Sequence, residues 1–566
     1  MSDASQTRSM IKHRLRQALG DAFAAAVAAG ELTPAPLPEI ELLVPPDPKF
    51  GDFSANLAMM TAGVQKRAPR EVAQTLLRHL SGLDDVLDRV EIAGSGFINF
   101  YLKPTWLDDV VRRAGAEDER FGCGAEGAGE RVLIEFVSAN PVGPLTVAQG
   151  RAAALGDALA RLLEARGCEV SREYYINDAA SSTQVAKLAE SLDARYAQAL
   201  GQERALPPDG YQGEYLAQMG RDLAAREGDR YLSMPPEERL RALTAIAERM
   251  FVADHRRVLE AFGVTFDNWF CESSLYADGE VDRALELLKD RGYTYESEGA
   301  SWLRSTAFGD DKDRPLVRST GKPTYIAADT AYHRNKFDRG FTRLIDLWGP
   351  DHHGYVARTK AAMAALGYPA DKLDIIIHQI VRLFSGGEMV RMSKRAGEII
   401  TLEEVIREVG RDAARYFFLM RSTDSPLDFD LELAKKETAE NPVYYVQYAH
   451  ARISSILRNA AEQGVEASDA ARTNLALLRA PDELALMRKL ADFPDEVATA
   501  ARLYEPHRMT RFASELAGVF HLFYTNCRVL GDDPQLTAAR LTLVRAALIT
   551  LRNVLRLLGV AAPERM

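Results

Sequence analysis

Ser138-Ala139-Asn140-Pro141-Val142-Gly143-Pro144-Leu145-Thr146-Val147-Ala148-Gln149-Gly150 stands between the apolar run Val132-Leu133-Ile134-Glu135-Phe136-Val137 and an amphipathic run that begins at Gly150. Strand, Pro/Gly-rich loop and helix in that order aim free backbone N–H groups at a phosphate. A second signal of the same kind lies downstream at Arg391-Met392-Ser393-Lys394-Arg395-Ala396-Gly397. There Arg391, Lys394 and Arg395 place three cations within five residues, with Ser393 as a hydroxyl donor. A mobile basic loop of this composition stabilises charge that builds on a triphosphate under attack. A bare R-x-x-K is more often a solvated turn, but M-S-K-R after Gly386-Gly387, which permit a hairpin-like turn, is far more specific. Two such loops on one α/β sheet would clamp a nucleotide from both sides.

Outward from the first loop, Gly150 to Gly167 reads as a helix with Leu155, Leu159 and Leu162 on one face. Glu173-Tyr174-Tyr175-Ile176 is the next strand. A charged helical segment, around 183–260, is too polar for a sheet core and reads as an insertion. A second strand set follows: Thr324-Tyr325-Ile326-Ala327, Arg343-Leu344-Ile345-Asp346-Leu347-Trp348 and Leu373-Asp374-Ile375-Ile376-Ile377. Together these give a doubly wound nucleotide-binding sheet. Upstream, helical patterns begin at Leu57 and Pro69, and strands at 90–93 and 97–102 are joined by Gly94-Ser95-Gly96. Residues 115–130, rich in Gly and Glu, read as a linker. Strand signals vanish after about 420. The chain therefore divides into an α+β domain (1–110), a Rossmann-like α/β domain (111–425) with a helical insertion around 183–260, and an all-α domain (426–566).

At 566 residues the chain is long enough for several cores, and 47% apolar with 27% charged residues is ordinary for a soluble globular protein. No apolar stretch approaches the ~20 residues that span a bilayer. The alanine-rich N-terminus reads as a domain-opening helix, not a signal peptide. Cys123, Cys168, Cys271 and Cys527 are too dispersed for a C-x-x-C zinc pair, which leaves reduced thiols in a cytoplasmic protein. Net charge is −11, yet residues 501–566 hold nine arginines against five acids. That stripe suits a phosphate backbone, or equally a set of solvated helix faces.

The two loops together resemble those of class I aminoacyl-tRNA synthetases, and the resemblance is nearest to the bacterial arginyl-tRNA synthetases. It extends to Gly51-Asp52-Phe53-Ser54 and Gly96-Phe97-Ile98-Asn99-Phe100, to Asp351-His352-His353-Gly354, to the run 440–452 and to Pro563-Glu564-Arg565-Met566. It implies an N-terminal domain that binds the tRNA elbow, a C-terminal anticodon-binding domain, and ligation of L-arginine to tRNA(Arg) through an arginyl-adenylate, with activation dependent on bound tRNA. It also implies residue roles. Thr146, Gln149, Arg391, Ser393 and Lys394 are the catalytic positions. Gly143, Pro144, Gly150, Asp351, His352 and Met392 meet ATP, which brings Mg2+ held mainly by phosphate and water. Glu135, Ser138, Asn140, Tyr325 and Asp329 bind arginine. Tyr445, Gln447, Tyr448, Arg452 and Met566 meet tRNA. No resident metal is expected, and the chain is expected to act as a monomer.

A guanidinium needs planar acceptors, preferably carboxylates. Tyr325 and Asp329, four apart, share a face if their segment is helical, so that Tyr325 covers the cation and Asp329 accepts from it. The alternative is that Asp329 is a helix N-cap and Tyr325 a core residue. The sequence departs from the family at Thr146-Val147-Ala148-Gln149, where His-Val-Gly-His is usual. Threonine and glutamine still donate hydrogen bonds, but a lost transition-state donor removes ~3 kcal/mol of stabilisation. Asn177 to Gln184 replaces a glycine-containing turn, and Arg391 stands for the usual lysine. A working ligase with an unusual loop is the first reading. A weakened paralogue that binds tRNA, arginine or nucleotide in a regulatory role is the alternative.

Overall fold

The run Arg131–Glu135 is buried on both faces, and its need for cover on two sides organises the middle of the chain. The computed structural model describes residues 8–45, 47–178, 183–390, 400–465 and 470–566. Five strands, β1 (Arg131–Glu135), β2 (Glu169–Ile176), β3 (Asn268–Cys271), β4 (Arg343–Trp348) and β5 (Leu373–Ile377), form one parallel sheet in the order β5-β4-β1-β2-β3. Alternate residues of β1 sort to opposite layers. Val132 and Ile134 pack with Leu155, Leu159 and Leu162 of helix Val147–Ala165, while Leu133 packs with Leu344, Ala362 and Leu366. The chain winds from β1 towards β3, then crosses to β4 and β5. The topological switch point is thus between β1 and β4, where open α/β sheets bind ligands at the carboxyl ends of their strands.

Between β2 and β3 lie helices Thr183–Ala199, Glu214–Glu227 and Pro236–Ala261, which share their own apolar core. The expected insertion is therefore a helical unit. Before the parallel sheet in the chain, an antiparallel sheet runs in the order Leu42–Leu43, Phe53–Ala55, Phe97–Leu102, Leu87–Ala93, and helices Leu57–Gln65 and Pro69–His79 accompany it. After the parallel sheet, helices Pro442–Glu462, Pro481–Leu503, His507–Asn526 and Pro534–Leu558 make the C-terminal bundle. Among the described residues no helix is long and apolar enough to cross a membrane.

Four expectations are corrected. Residues 324–327 are not a strand: Thr324 is the extended N-cap of helix Tyr325–Asp338, and its β-favouring neighbours form the first turn. Strands do not end at 420, because Leu427–Asp430 pairs parallel with Val381–Ser385. Four residues of alternating burial give too short a pattern to read. The 115–130 segment is no free linker. Phe121 is buried, Asn553 bonds the carbonyls of Asp118 and Phe121, and a Cβ on Gly122 would meet the Phe493 ring at 2.3 Å. Its glycines permit close approach rather than flexibility. Finally, the arginine stripe is largely paired within the protein: Arg508 with Glu505, Arg511 with Glu515, Arg540 with Glu483 and Arg552 with Asp118.

One buried guanidinium joins three parts of the chain. Arg415, 0% exposed, donates to Asp157 Oδ2 at 2.5 Å, to the Leu558 carbonyl at 3.1 Å and to the Phe262 carbonyl at 3.3 Å. These belong to helix Val147–Ala165, to the C-terminal end of the bundle and to the end of the insertion. Replacing Arg415 by methionine leaves the Leu558 and Phe262 carbonyls unpaired and Asp157 with only Arg161 and Arg172, and should lower unfolding free energy by about 3 kcal/mol. Denaturant midpoints of the two proteins read this directly, and an unchanged midpoint contradicts it.

Candidate functional site

At the carboxyl end of β1 and β4 lies a buried ammonium. Lys336, 0% exposed, donates to Glu135 Oε2 at 2.6 Å and to Asp346 Oδ1 at 2.8 Å. His333, one turn earlier on the same helix, has Nε2 2.7 Å from Asp346 Oδ2 and Nδ1 2.7 Å from the Asp329 carbonyl. Both ring nitrogens face acceptors, an arrangement that uses a proton on each. Burial opposes charge at Lys336, but Asp346 and Glu135 outweigh it and raise its pKa. Burial likewise opposes charge at Asp346, yet Lys336 and His333 hold it at about 2. Burial pushes the Glu135 carboxyl up against the pull of Lys336. Lys336 thus bridges the two carboxyls, and His333 holds the second oxygen of Asp346.

Two further carboxyls in the same place have no such match. Asp329 lies one turn above His333, and burial together with Glu135 and Asp346 lifts its pKa to about 6. Glu272, buried at the first turn of helix Glu272–Ala277, is raised to about 7 by burial and by Asp329. Among the described residues neither has an ion-pair partner. Tyr175 lies between them, hydrogen-bonded to Glu272 and within the fields of Asp329 and Glu135. Tyr325, 56% exposed, opens the helix that carries Asp329, so it is neither core nor N-cap partner. Tyr276 adds a ring beside Glu272, Asp329 and Tyr325. Glu272 and Tyr175 were not singled out from the sequence. A lone acid that follows a short strand carries no local signal, and only the sheet brings it to Glu135.

The loop after β1 is strained. Val137 and Ser138 have φ of 71° and 40°, left-handed values that a β-branched residue rarely adopts. The turn swings Ser138 back, where its Oγ donates to Glu135 Oε1 at 2.9 Å and accepts from the Tyr175 N–H at 3.1 Å. Asn140 Nδ2 donates to Gln184 Oε1 at 2.9 Å, so its amide faces the insertion and its Oδ1 is the group left for a ligand. At the expected catalytic pair, Thr146 is the N-cap of helix Val147–Ala165. Gln149 Oε1 accepts from the Thr146 N–H at 3.0 Å and from its hydroxyl at 2.5 Å. The pair forms a capping box, which uses the Thr146 proton internally and leaves Gln149 Nε2 as the donor. Gly150, expected to meet ATP, is packed closely in the first turns of the helix. Its N–H bonds the Thr146 carbonyl at 3.0 Å, and a Cβ there would meet Leu402 at 2.6 Å. Its lack of a side chain serves packing. Gly143 and Pro144 remain half-exposed at the helix mouth.

Asp351 and His352 are exposed in the turn after β4, where His352 lies 6.0 Å from the Trp348 ring. Arg391, Met392, Ser393, Lys394 and Arg395 lie outside the described residues. The segment that follows them is anchored beside the signature loop: Thr401 bridges Thr146, and the Leu402 N–H bonds the Leu145 carbonyl at 2.8 Å. In the C-terminal bundle, Tyr445 and Tyr448 flank His521, and Arg452 lies 4.7 Å over the Tyr524 ring. Met566 is exposed. Gln447, expected to meet tRNA, has its Nε2 held by Asp412 and by the Ala561 carbonyl, both at 2.9 Å, and so clamps the segment that leads to the tail.

Three family models match along the chain: "Arginyl tRNA synthetase N terminal domain" at 9–102, "tRNA synthetases class I (R), catalytic domain" at 116–454 and "DALR anticodon binding domain" at 446–566. An arginine–tRNA ligase of Moorella thermoacetica is 54% identical over 98% of this chain and 99% of its own length. That of Heliobacterium modesticaldum is 50% identical over the same shares. The arginyl-tRNA synthetase structure from Thermus thermophilus is similar in fold, with a TM-score of 0.73 at 24% identity over 98% of this chain and all of that one.

Removing the central cation leaves two buried carboxylates facing each other. Lys336→Met should therefore destabilise the protein by about 3–5 kcal/mol. Adding Asp346→Asn should restore part of that loss. Thermal unfolding of the single and double variants tests both statements, and a single variant as stable as the parent would contradict the network.

Proposed function

The chain belongs to the arginyl-tRNA synthetase family, and we propose that its chemistry takes place where the Glu135, Asp329 and Glu272 cluster meets the loop 138–149. The protein joins L-arginine to tRNA in an ATP-dependent reaction, and the comparisons lend no support to a weakened paralogue. The observation that carries the proposed site is the meeting of half-buried Asp329 and buried Glu272 at Tyr175 with no ion-pair partner among the described residues, where burial lifts the two carboxyls to about 6 and about 7. Arginine offers two cationic groups, a guanidinium and an α-ammonium.

In this reading Asp329 accepts from the guanidinium while Tyr325, on the same helix face, covers it. Glu272 is the second acceptor, and Ser138 and Asn140 Oδ1 line the approach from the loop. The substrate carboxylate then attacks the α-phosphate of ATP. A bond forms from carboxylate oxygen to phosphorus, pyrophosphate leaves, and the acyl group afterwards passes to a ribose hydroxyl of tRNA with release of AMP. The first amides of helix Val147–Ala165 and Gln149 Nε2 donate to the polyphosphate. Lys394, with Arg391 and Ser393, adds positive charge and a hydroxyl donor to stabilise it. Magnesium that accompanies ATP would be held by phosphate oxygens and would neutralise their charge. Tyr445, Tyr448 and Arg452, with His521 and Tyr524, are the tRNA-facing group of the bundle. The domain limits 1–110, 111–425 and 426–566 are proposed as the units of this division of labour.

Charging of total tRNA with labelled arginine tests the reading. Asp329→Asn and Glu272→Gln should each raise the arginine KM about tenfold or more, since a charged hydrogen bond contributes about 1.5–3 kcal/mol, and should leave the ATP KM within about twofold. Lys394→Ala should lower kcat about 100-fold. Unchanged arginine KM in both carboxyl variants would reject the proposed pocket.

A further inference from the structure

The strained loop is held by groups that the reaction does not otherwise use. Tyr174, 1% exposed on β2, and His255, 0% exposed on helix Pro236–Ala261, lie beneath it. The Tyr174 hydroxyl is 2.9 Å from His255 Nδ1 and 3.1 Å from both the N–H and the carbonyl of Ala139. His255 Nε2 is 2.8 Å from the Gly143 carbonyl. A carbonyl only accepts, so Nε2 carries the proton and Nδ1 is the bare acceptor. A single directed chain results: Ala139 N–H to Tyr174 oxygen, Tyr174 O–H to Nδ1, and Nε2–H to the Gly143 carbonyl. Burial lowers the His255 pKa, in keeping with the neutral ring this chain requires.

The two ends of that chain grasp the loop on either side of Asn140-Pro141-Val142. The insertion adds further holds. Val142 packs against its apolar core, Asn140 bonds Gln184, and a Cβ on Gly143 would lie 3.3 Å from the Tyr215 hydroxyl. We infer that Tyr174 and His255 are positioning residues for the ATP-binding loop, and that through them the helical insertion sets the geometry in which ATP is held. The inference rests on the reading that loop 138–149 holds ATP. Without the relay, the left-handed turn at Val137-Ser138 relaxes, and Gly143 and the helix mouth move together.

Aminoacylation kinetics of the full chain, with ATP and arginine varied separately, test this. Tyr174→Phe removes only the central hydroxyl and keeps the packing. It should raise the ATP KM or lower kcat about tenfold, with a smaller rise in the arginine KM because Ser138 and Asn140 sit on the same loop, while the thermal midpoint stays near the parent's. His255→Leu should do the same, and His255→Gln, which can return an N–H to the Gly143 carbonyl, should recover most of the loss. Gln149→Ala serves as the probe of the loop itself. If Gln149→Ala impairs ATP use and the Tyr174 and His255 variants do not, the positioning role is overturned while the site stands. If none of the variants alters ATP use, both fall. Loss of activity that merely follows a lowered midpoint, without rescue by His255→Gln, also overturns it.

Discussion

A lysine ammonium shut away from water between two carboxylates is the fixed point of this structure. Lys336 draws Glu135, at the end of the first sheet strand, and Asp346, in the neighbouring strand, onto one helix. An isolated buried charge is prohibitively unfavourable, so helix and sheet keep their register or lose the partners. His333 completes the set. Lys336 is engaged by Glu135 and Asp346, so Asp329 and Glu272 stand beside the network with no ion-pair partner among the described residues, and burial lifts both carboxyls. Under the proposed function a cationic substrate would supply that partner.

The loop beside that pocket shows how a departure from the family pattern is absorbed. Thr146 and Gln149 cap the helix with each other, so its mouth is ordered before any nucleotide arrives. Arg151, buried just behind, donates to the Gln379 and Ser422 carbonyls at 2.9 and 2.8 Å and fixes the helix start to the segments around the small sheet. Under the proposed function, the helix amides and the Gln149 side-chain amide would take the part of the two histidines usual in the family. Strain at Val137 and Ser138 persists because bonds from Tyr174, Tyr175 and His255 surround it.

Much of this was legible in the residues. The apolar runs of the parallel sheet, the helix after the signature loop, the polar insertion and the C-terminal helices all follow from periodicity. Gly386 and Gly387, with φ of 60° and 83°, turn the hairpin their sequence suggested. What was hidden depends on distance along the chain. Tyr325 sits in a stretch of β-favouring residues, and the helix wins because its apolar side is covered, Ile326 by Leu303 and Leu316 and Ala327 and Ala331 by Leu275 and Ala284. The gripping roles of Gly122, Gly124 and Gly127 are visible only once Phe493, Arg166 and Cys168 come against them. Glu272 gains meaning only across the sheet from Glu135. The hold of Gln447 on Asp412 and Ala561 was equally hidden, because a polar residue on a helix does not announce which neighbour it will meet.

The claim that two carboxyls await a cation makes proton exchange its sharpest reporter. With pKa values of about 6 and about 7 in the free protein, Asp329 and Glu272 are partly protonated between those limits. Bound arginine favours their charged forms, lowers both values and expels the protons, so affinity rises with pH through that window and levels off above it. Calorimetric titration of the protein with arginine at pH 6.5, in buffers of different ionisation heat, measures the exchange. Net release of protons that disappears in the Asp329→Asn, Glu272→Gln double variant is the expected result. Binding with no proton exchange, or with uptake, would show that arginine is held somewhere else.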